Sequence, residues 1–304
     1  MSESRGAFGR VRMFVALMFP VFPAQIATFG SFALNYIVVS RLFLGEAPVL
    51  MELLLGGISM VLFNLQLRVL DELKDQPTDR IHFPQRPLVT GAVSRRDLRN
   101  LLLVLNLILL GCQLPFLSRA IFPAYLFVLA YSFLTFKWFF METRMRKSLM
   151  LAFFSHHPLI FIFQIYLLTF FGRLSRIPMG AWLYVAGVTL AGTTWEIGRK
   201  MRGTSQETAY STYTGILGVN GAAAVWSSTL TASLCLAFFP IAVASPSQTI
   251  LLCWVLPGGA CALGLWKALC FVRRPELAPQ FRQIAEFYGL TLIIAALATG
   301  LFGV

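Results

Sequence analysis

Long apolar runs recur along the whole chain, parted by short polar stretches. Most approach the roughly 20 residues that an α-helix needs to cross the hydrocarbon core of a bilayer. This pattern predicts about nine transmembrane helices, over 13–42, 47–70, 96–117, 119–140, 148–171, 178–200, 215–240, 247–271 and 283–303. No stretch has the character of a separate soluble domain, so residues 1–304 are expected to form one all-α transmembrane domain.

Composition supports the bilayer as solvent. With 57% hydrophobic and only 12% charged residues, and a mean hydropathy of +0.73, the chain cannot clothe a water-facing surface of this size. The net charge of +12 would point to nucleic acid in a soluble protein, but here its distribution speaks otherwise. Clusters at Arg5/Arg10/Arg12, from Lys74 to Arg99, from Lys137 to Lys147, at Arg199/Lys200/Arg202 and from Lys267 to Arg282 fall in alternate connections and hold 20 of the 25 basic residues. The opposite side has Arg41, Arg119, Arg173 and Arg176, with Arg68 inside a helix. By the positive-inside rule the N-terminus faces the cytoplasm, and an odd number of spans puts Val304 outside. Nucleic acid is not an expected partner; membrane lipid is.

The first apolar run is preceded by basic residues. It is long, contains Pro20 and Pro23 and lacks a small-residue cleavage site, so it is expected to stay attached. The five cysteines (Cys112, Cys235, Cys253, Cys261, Cys270) sit in or beside apolar segments without CxxC spacing and read as small packing residues.

Acids are scarce, 13 in all, yet Asp71, Glu72, Asp75 and Asp79 lie within nine positions. Asp71 and Asp75 share a helical face, and Pro77 is expected to end the second helix so that Asp79 enters from the following loop, converging on the same point. Carboxylates gathered this way repel unless a cation lies between them, and oxygen-only donors suit Mg²⁺. The alternative is a solvated helix end balanced by Lys74, Arg80 and Arg68. In a chain so poor in acids, at a membrane boundary, the metal reading is the stronger.

The next loop holds Arg80, His82, Arg86, Arg95 and Arg96. Arg86 lies between Pro84 and Pro87, which stiffen the backbone and would present its guanidinium to a phosphate. Arg95, Arg96 and Arg99 read as anionic-lipid or positive-inside contacts. A second polar cluster closes the sixth helix: Glu196, Arg199, Lys200 and Arg202, then Glu207, Tyr210 and Tyr213. Its i, i+3, i+4 spacing allows either an ion pair that caps the helix or a set of cations for a diphosphate. Lys137 ends the fourth helix after Tyr131.

These residues resemble the UbiA superfamily of intramembrane prenyltransferases. Its first signature, Asn-Asp-x2-Asp-x3-Asp followed by Arg-Pro-Leu/Ile and a Gly, is similar to Asp71-Glu72-x2-Asp75-x3-Asp79, Arg86-Pro87-Leu88 and Gly91 here. The second Asp-rich signature is altered. Glu196 keeps an acid, while Arg199, Lys200 and Arg202 stand where further Asp residues are expected, so the resemblance implies direct capture of diphosphate by cations as the expected substitute for a second metal there. The Tyr131 to Lys137 stretch resembles the Tyr/Lys segment ending the family's fourth helix.

The resemblance implies a bundle around a central lipid-open cavity, in which an isoprenoid diphosphate places its head between the two polar clusters. Mg²⁺ would be held by Asp71, Glu72, Asp75 and Asp79, the diphosphate by Arg86, Lys137, Arg199, Lys200 and Arg202. The expected reaction is Mg-dependent transfer of the prenyl group to an aromatic or lipid acceptor, and the expected location a bacterial cell membrane. Candidates for the acceptor side are Asn64, Arg68, His156, His157 and Glu196. His156 and His157, ahead of Pro158, suit either a base or a hydrogen-bonded structural pair, and Arg68 could instead pair with Glu72. Three other readings stand: a UbiA-type terpene cyclase that closes the cation on its own double bonds, a member without catalysis, and a non-enzymatic polytopic protein or transporter. The last would place polar residues at the bilayer midplane with repeat symmetry.

Overall fold

The computed structural model describes residues 6–20, 25–207, 212–277 and 279–302. Arg5, Tyr210 and Val304, which carry part of the sequence reading, lie outside them. Among the described residues all regular structure is helical: α1 (Ala7–Met18), α2 (Ile26–Val38), α3 (Leu50–His82), α4 (Arg95–Gln113), α5 (Ile121–Phe136), α6 (Glu142–Lys147), α7 (Leu149–His156), α8 (Pro158–Thr169), α9 (Met179–Arg199), α10 (Tyr213–Ala244), α11 (Gln248–Cys253), α12 (Val255–Arg273) and α13 (Phe281–Phe302). This follows from lipid as solvent, where a helix satisfies its backbone groups within one segment.

Among the described residues seven stretches are long and apolar enough to cross a membrane: Ile26–Phe43, Leu50–His82, Arg95–Phe116, Leu149–Thr169, Tyr213–Ala244, Gln248–Arg273 and Phe281–Gly300. The 16-residue α5 is a shorter apolar helix, and the 21-residue α9 is more polar, with Thr189, Thr193, Thr194 and Glu196 along it. Among the described residues these nine correspond to the nine expected segments.

Several boundaries differ. The first expected segment, 13–42, is broken, because α1 ends at Met18 just before Pro20 and a second helix starts at Ile26. The fifth is divided at His157, ahead of Pro158, and the eighth at Trp254. The second runs twelve residues past residue 70 and carries Pro77 inside it, so Pro77 does not end the helix.

The chain divides into two compact units, Met1–Ala33 with Val49–Arg144 and Leu34–Pro48 with Met145–Val304. In the first unit, Leu65, Val69 and Leu73 recur every four residues along α3 and pack with Leu98 and Leu105 of α4, with Phe14 and Phe19, and with Leu88 and Val93 of the α3–α4 loop. Arg10 of α1 grips Asp97 of α4 through two hydrogen bonds of 2.8 Å, and Asp97 with Ser94 forms a capping box that starts α4. Farther along, Gln113 donates to the Ser59 hydroxyl at 3.0 Å and Arg119 pairs with Glu52.

In the second unit α9 lies hard against α10. A Cβ built on Gly187 would stand 2.3 Å from the backbone nitrogen of Ala237, and the Ser233 hydroxyl donates to the Gly187 carbonyl at 2.7 Å. Small residues allow such approach where lipid supplies no hydrophobic drive between helices. Tyr288 of α13 donates to Ser233 at 3.0 Å, and Tyr184 of α9 donates to Asn35 at 2.8 Å, so buried hydroxyls knit the helices together.

Candidate functional site

The acid-rich stretch is set by the length of α3. Its 33 residues span about 50 Å, whereas about 20 residues suffice for the bilayer core, so the turns carrying Asp71 to Asp79 extend past a crossing that begins near Leu50. Continuation through Pro77 leaves the Leu73 carbonyl, four positions earlier, without its helical donor. Arg95 at the start of α4 approaches that carbonyl at 3.5 Å and donates to the Gln76 side chain at 2.5 Å. Arg95 thus also has a local role: it supports the helix where proline weakens it.

On this continuous helix Arg68, Glu72, Asp75 and Asp79 follow one stripe, at i, i+4, i+7 and i+11. Asp79 therefore sits on the helix, buried, and does not enter from a loop. The four carboxylates do not close on one point; among the described residues no group of three His, Cys, Asp or Glu side chains could hold a metal ion. Like charges repel, and basic neighbours are within reach. Glu72, 1% exposed, pairs with Arg68; Asp79, 4% exposed, pairs with Arg86; and Asp71, 51% exposed, pairs with Lys74 at 2.9 Å. Asp75 is half-buried on the same stripe. The donor set remains oxygen-only, and the Oε1 of Glu72 is buried without a hydrogen-bond partner. A buried carboxylate oxygen without a partner suits a hard cation such as Mg²⁺ in charge and donor type.

Around the stripe, Arg86 lies with its guanidinium 4.6 Å above the Phe83 ring. Its loop is held by Val93 donating to the Pro87 carbonyl at 3.2 Å, and Gly91 turns it at φ +77°. Lys137 caps α5, its ammonium 5.9 and 5.3 Å from the rings of Phe133 and Phe136. The next three residues, Trp138, Phe139 and Phe140, take left-handed φ values of 51°, 49° and 59°. This turn lays the Trp138 ring 4.6 Å from the Lys74 ammonium, which is only 6% exposed, and so brings the end of α5 to the acid-rich helix. The sequence marked Lys74 only as a balancing charge, and a run of three non-glycine residues with positive φ leaves no compositional signal. Asn64, one turn before Arg68, donates to the Thr28 hydroxyl at 3.2 Å.

In the second unit the C-terminal turn of α9 forms the ion-pair arrangement. Arg199 holds Glu196 through hydrogen bonds of 2.5 and 2.8 Å, and Lys200 reaches the same carboxylate at 3.1 Å. Arg202 donates to the carbonyls of Arg199 and Met201. Glu207 accepts from the hydroxyls of Thr212 and Thr214 and ties the start of α10 to this loop. His156 folds back on α7, its Nδ1 3.0 Å from the Ala152 carbonyl. His157 lies 2.5 Å from the Thr193 hydroxyl of α9 and stacks on Phe153 at 4.4 Å.

Two solved structures share this architecture. One is a digeranylgeranylglyceryl phosphate synthase in membranes, with a TM-score of 0.64 at 15% identity over 96% of this chain and 98% of that one. The other is an apo UbiA homolog from Aeropyrum pernix K1, with a TM-score of 0.64 at 16% identity over 90% and 98%. The fold is UbiA-type. No protein-family model and no curated protein matches the sequence. Within the UbiA-type fold the chain is thus distant in sequence.

Proposed function

We propose that this chain is an intramembrane prenyltransferase of the UbiA superfamily, moving a prenyl group from an isoprenoid diphosphate to an aromatic or lipid acceptor. One observation carries the reading: in a UbiA-type fold, the Glu72, Asp75 and Asp79 stripe stands at the end of α3, with Arg86 of the Arg-Pro-Leu tripeptide already on Asp79. In this proposal Asp71, Glu72, Asp75 and Asp79 hold Mg²⁺. When bound, the ion would neutralise the diphosphate and improve it as a leaving group.

The side chains have their own part. The allylic C–O bond breaks with its electron pair leaving on the diphosphate, a bond forms from the acceptor to that carbon, and the acceptor gives up a proton. Arg86 would exchange the Asp79 carboxylate for phosphate oxygens, and Lys137 would add a mobile charge, stabilising the departing anion. In the second unit Arg199, Lys200 and Arg202 are the proposed diphosphate cations, with Arg199 and Lys200 released from Glu196. The acceptor-side candidates are Asn64 and Arg68 in one unit and His156, His157 and Glu196 in the other; each carries a hydrogen bond or ion pair that an acceptor would exchange. The basic connections favour a cytoplasmic N-terminus, as in a bacterial cell membrane.

The test is to incubate detergent-purified protein with C10 to C20 prenyl diphosphates, with and without Mg²⁺ and candidate phenols. Diphosphate release that requires both Mg²⁺ and the phenol supports transfer. Release with hydrocarbon product and no acceptor supports the terpene cyclase instead, and no turnover with any donor supports a non-enzymatic role.

A further inference from the structure

Where α12 turns toward α13, the second unit opens a cavity of about 630 Å³. This is within the roughly 300–1,000 Å³ of small-ligand sites. Its buried lining includes Phe271 and Phe281, edge to face with ring centroids 5.2 Å apart. Lys267, Arg273 and Arg274 also line it, and among the described residues no Asp or Glu does. None of the three is ion-paired among the described residues, which sets them apart from Arg68, Lys74, Arg86, Arg199 and Lys200.

Position argues for a lipid. The cavity lies at the end of a membrane-length helix, Gln248–Arg273. Trp266 is 54% exposed there with the Lys267 ammonium 5.1 Å from its ring, the arrangement of an aromatic and a snorkelling cation at a membrane interface. One turn to either side, Leu263 and Leu269 are also exposed and extend an apolar face along α12. Basic pockets between spans at the membrane surface suit phosphate headgroups of anionic lipids, whose chains then follow the adjoining apolar helix.

We propose that this cavity binds the headgroup of one anionic phospholipid, with its acyl chains along the outer face of α12. The site does not depend on the prenyltransferase reading. It does touch the loop that carries Arg202: the Thr204 amide donates to the Pro275 carbonyl at 2.8 Å and the Ser205 hydroxyl to the Glu276 carbonyl at 2.7 Å.

The test follows the thermal unfolding of the full chain in a neutral detergent with added phosphatidylglycerol, phosphatidylcholine or soluble glycerol phosphate. Phosphatidylglycerol should raise the midpoint by a few degrees and the other two should leave it in place. Arg273→Gln/Arg274→Gln should lose that rise, while the charge-matched pair Arg173→Gln/Arg176→Gln, exposed in another connection, should keep it. Lys267→Gln, a single change, should weaken the response and gives a second reading should the double variant fold poorly. An equal rise with phosphatidylcholine, an equal rise with glycerol phosphate, or a full response in both cavity variants would overturn the proposal.

Discussion

Arg86 ion-pairs with Asp79 seven positions earlier, while its guanidinium lies 4.6 Å above the ring of Phe83. Asp79 is only 4% exposed, so this partner is what makes its charge tolerable at the end of α3. The pairing changes what removal of Asp79 should do. From sequence alone Asp79 belongs to an exposed loop and could be deleted without harm to the fold. Buried and paired, Asp79→Ala should abolish turnover and also cost about 2–3 kcal/mol of stability, because Arg86 is left without its counter-charge. Thermal unfolding of Asp79→Ala beside Asp79→Ala/Arg86→Ala checks this. The double variant should regain part of the loss, and an Asp79→Ala protein as stable as the parent would contradict the pairing.

Asp75 is the cleaner probe of chemistry. It lies on the same stripe but is half-buried, so its removal should perturb packing less. Asp75→Ala is expected to lose diphosphate release while its unfolding midpoint stays within a degree or two of the parent. If that variant keeps near-full activity, the carboxylate stripe has no part in the reaction.

The spans were legible because lipid imposes a length rule on apolar runs, and the first polar motif because acids are scarce enough for four together to stand out. Interruptions were less legible. Pro20 ends a helix, as proline usually does, but Pro77 does not: Arg95, distant in sequence and held by the Gln76 side chain, reaches the Leu73 carbonyl that Pro77 leaves without a donor. That compensation is tertiary, and no local propensity announces it. For the same reason the sequence left open whether Glu196 caps α9 with Arg199 and Lys200 or frees them, a choice that depends on what else each charge can reach.

The turn after α5 stores strain. Trp138, Phe139 and Phe140 all have positive φ, where a Cβ costs roughly 1–2 kcal/mol per residue. Phe140 is 73% exposed and has little packing to lose. Phe140→Gly should therefore raise stability by about 1 kcal/mol, read as a higher unfolding midpoint. Trp138→Ala should do the reverse, because it uncovers the Lys74 ammonium and removes the contact that brings α5 to α3. A fall in stability for Phe140→Gly would mean that this turn is not strained.

The second unit depends on a close approach that a single methyl group would prevent. At Gly187 an added Cβ would meet the backbone of α10, with Ala237 N at 2.3 Å and its Cα at 2.8 Å, and backbone cannot swing aside as a side chain can. Gly187→Ala should force α9 and α10 apart and strain the 2.7 Å hydrogen bond from Ser233 to the Gly187 carbonyl, costing about 2 kcal/mol or more. Five residues on, a Cβ at Gly192 would meet only the side chain of Ile160, at 3.8 Å, an ordinary contact. Gly192→Ala should be neutral or slightly stabilising, since alanine is the better helix former. Comparing the two variants by thermal unfolding separates packing from helix propensity, because both changes add the same methyl group to the same helix. Equal behaviour of the pair would show that the α9–α10 contact is looser than 2.3 Å requires.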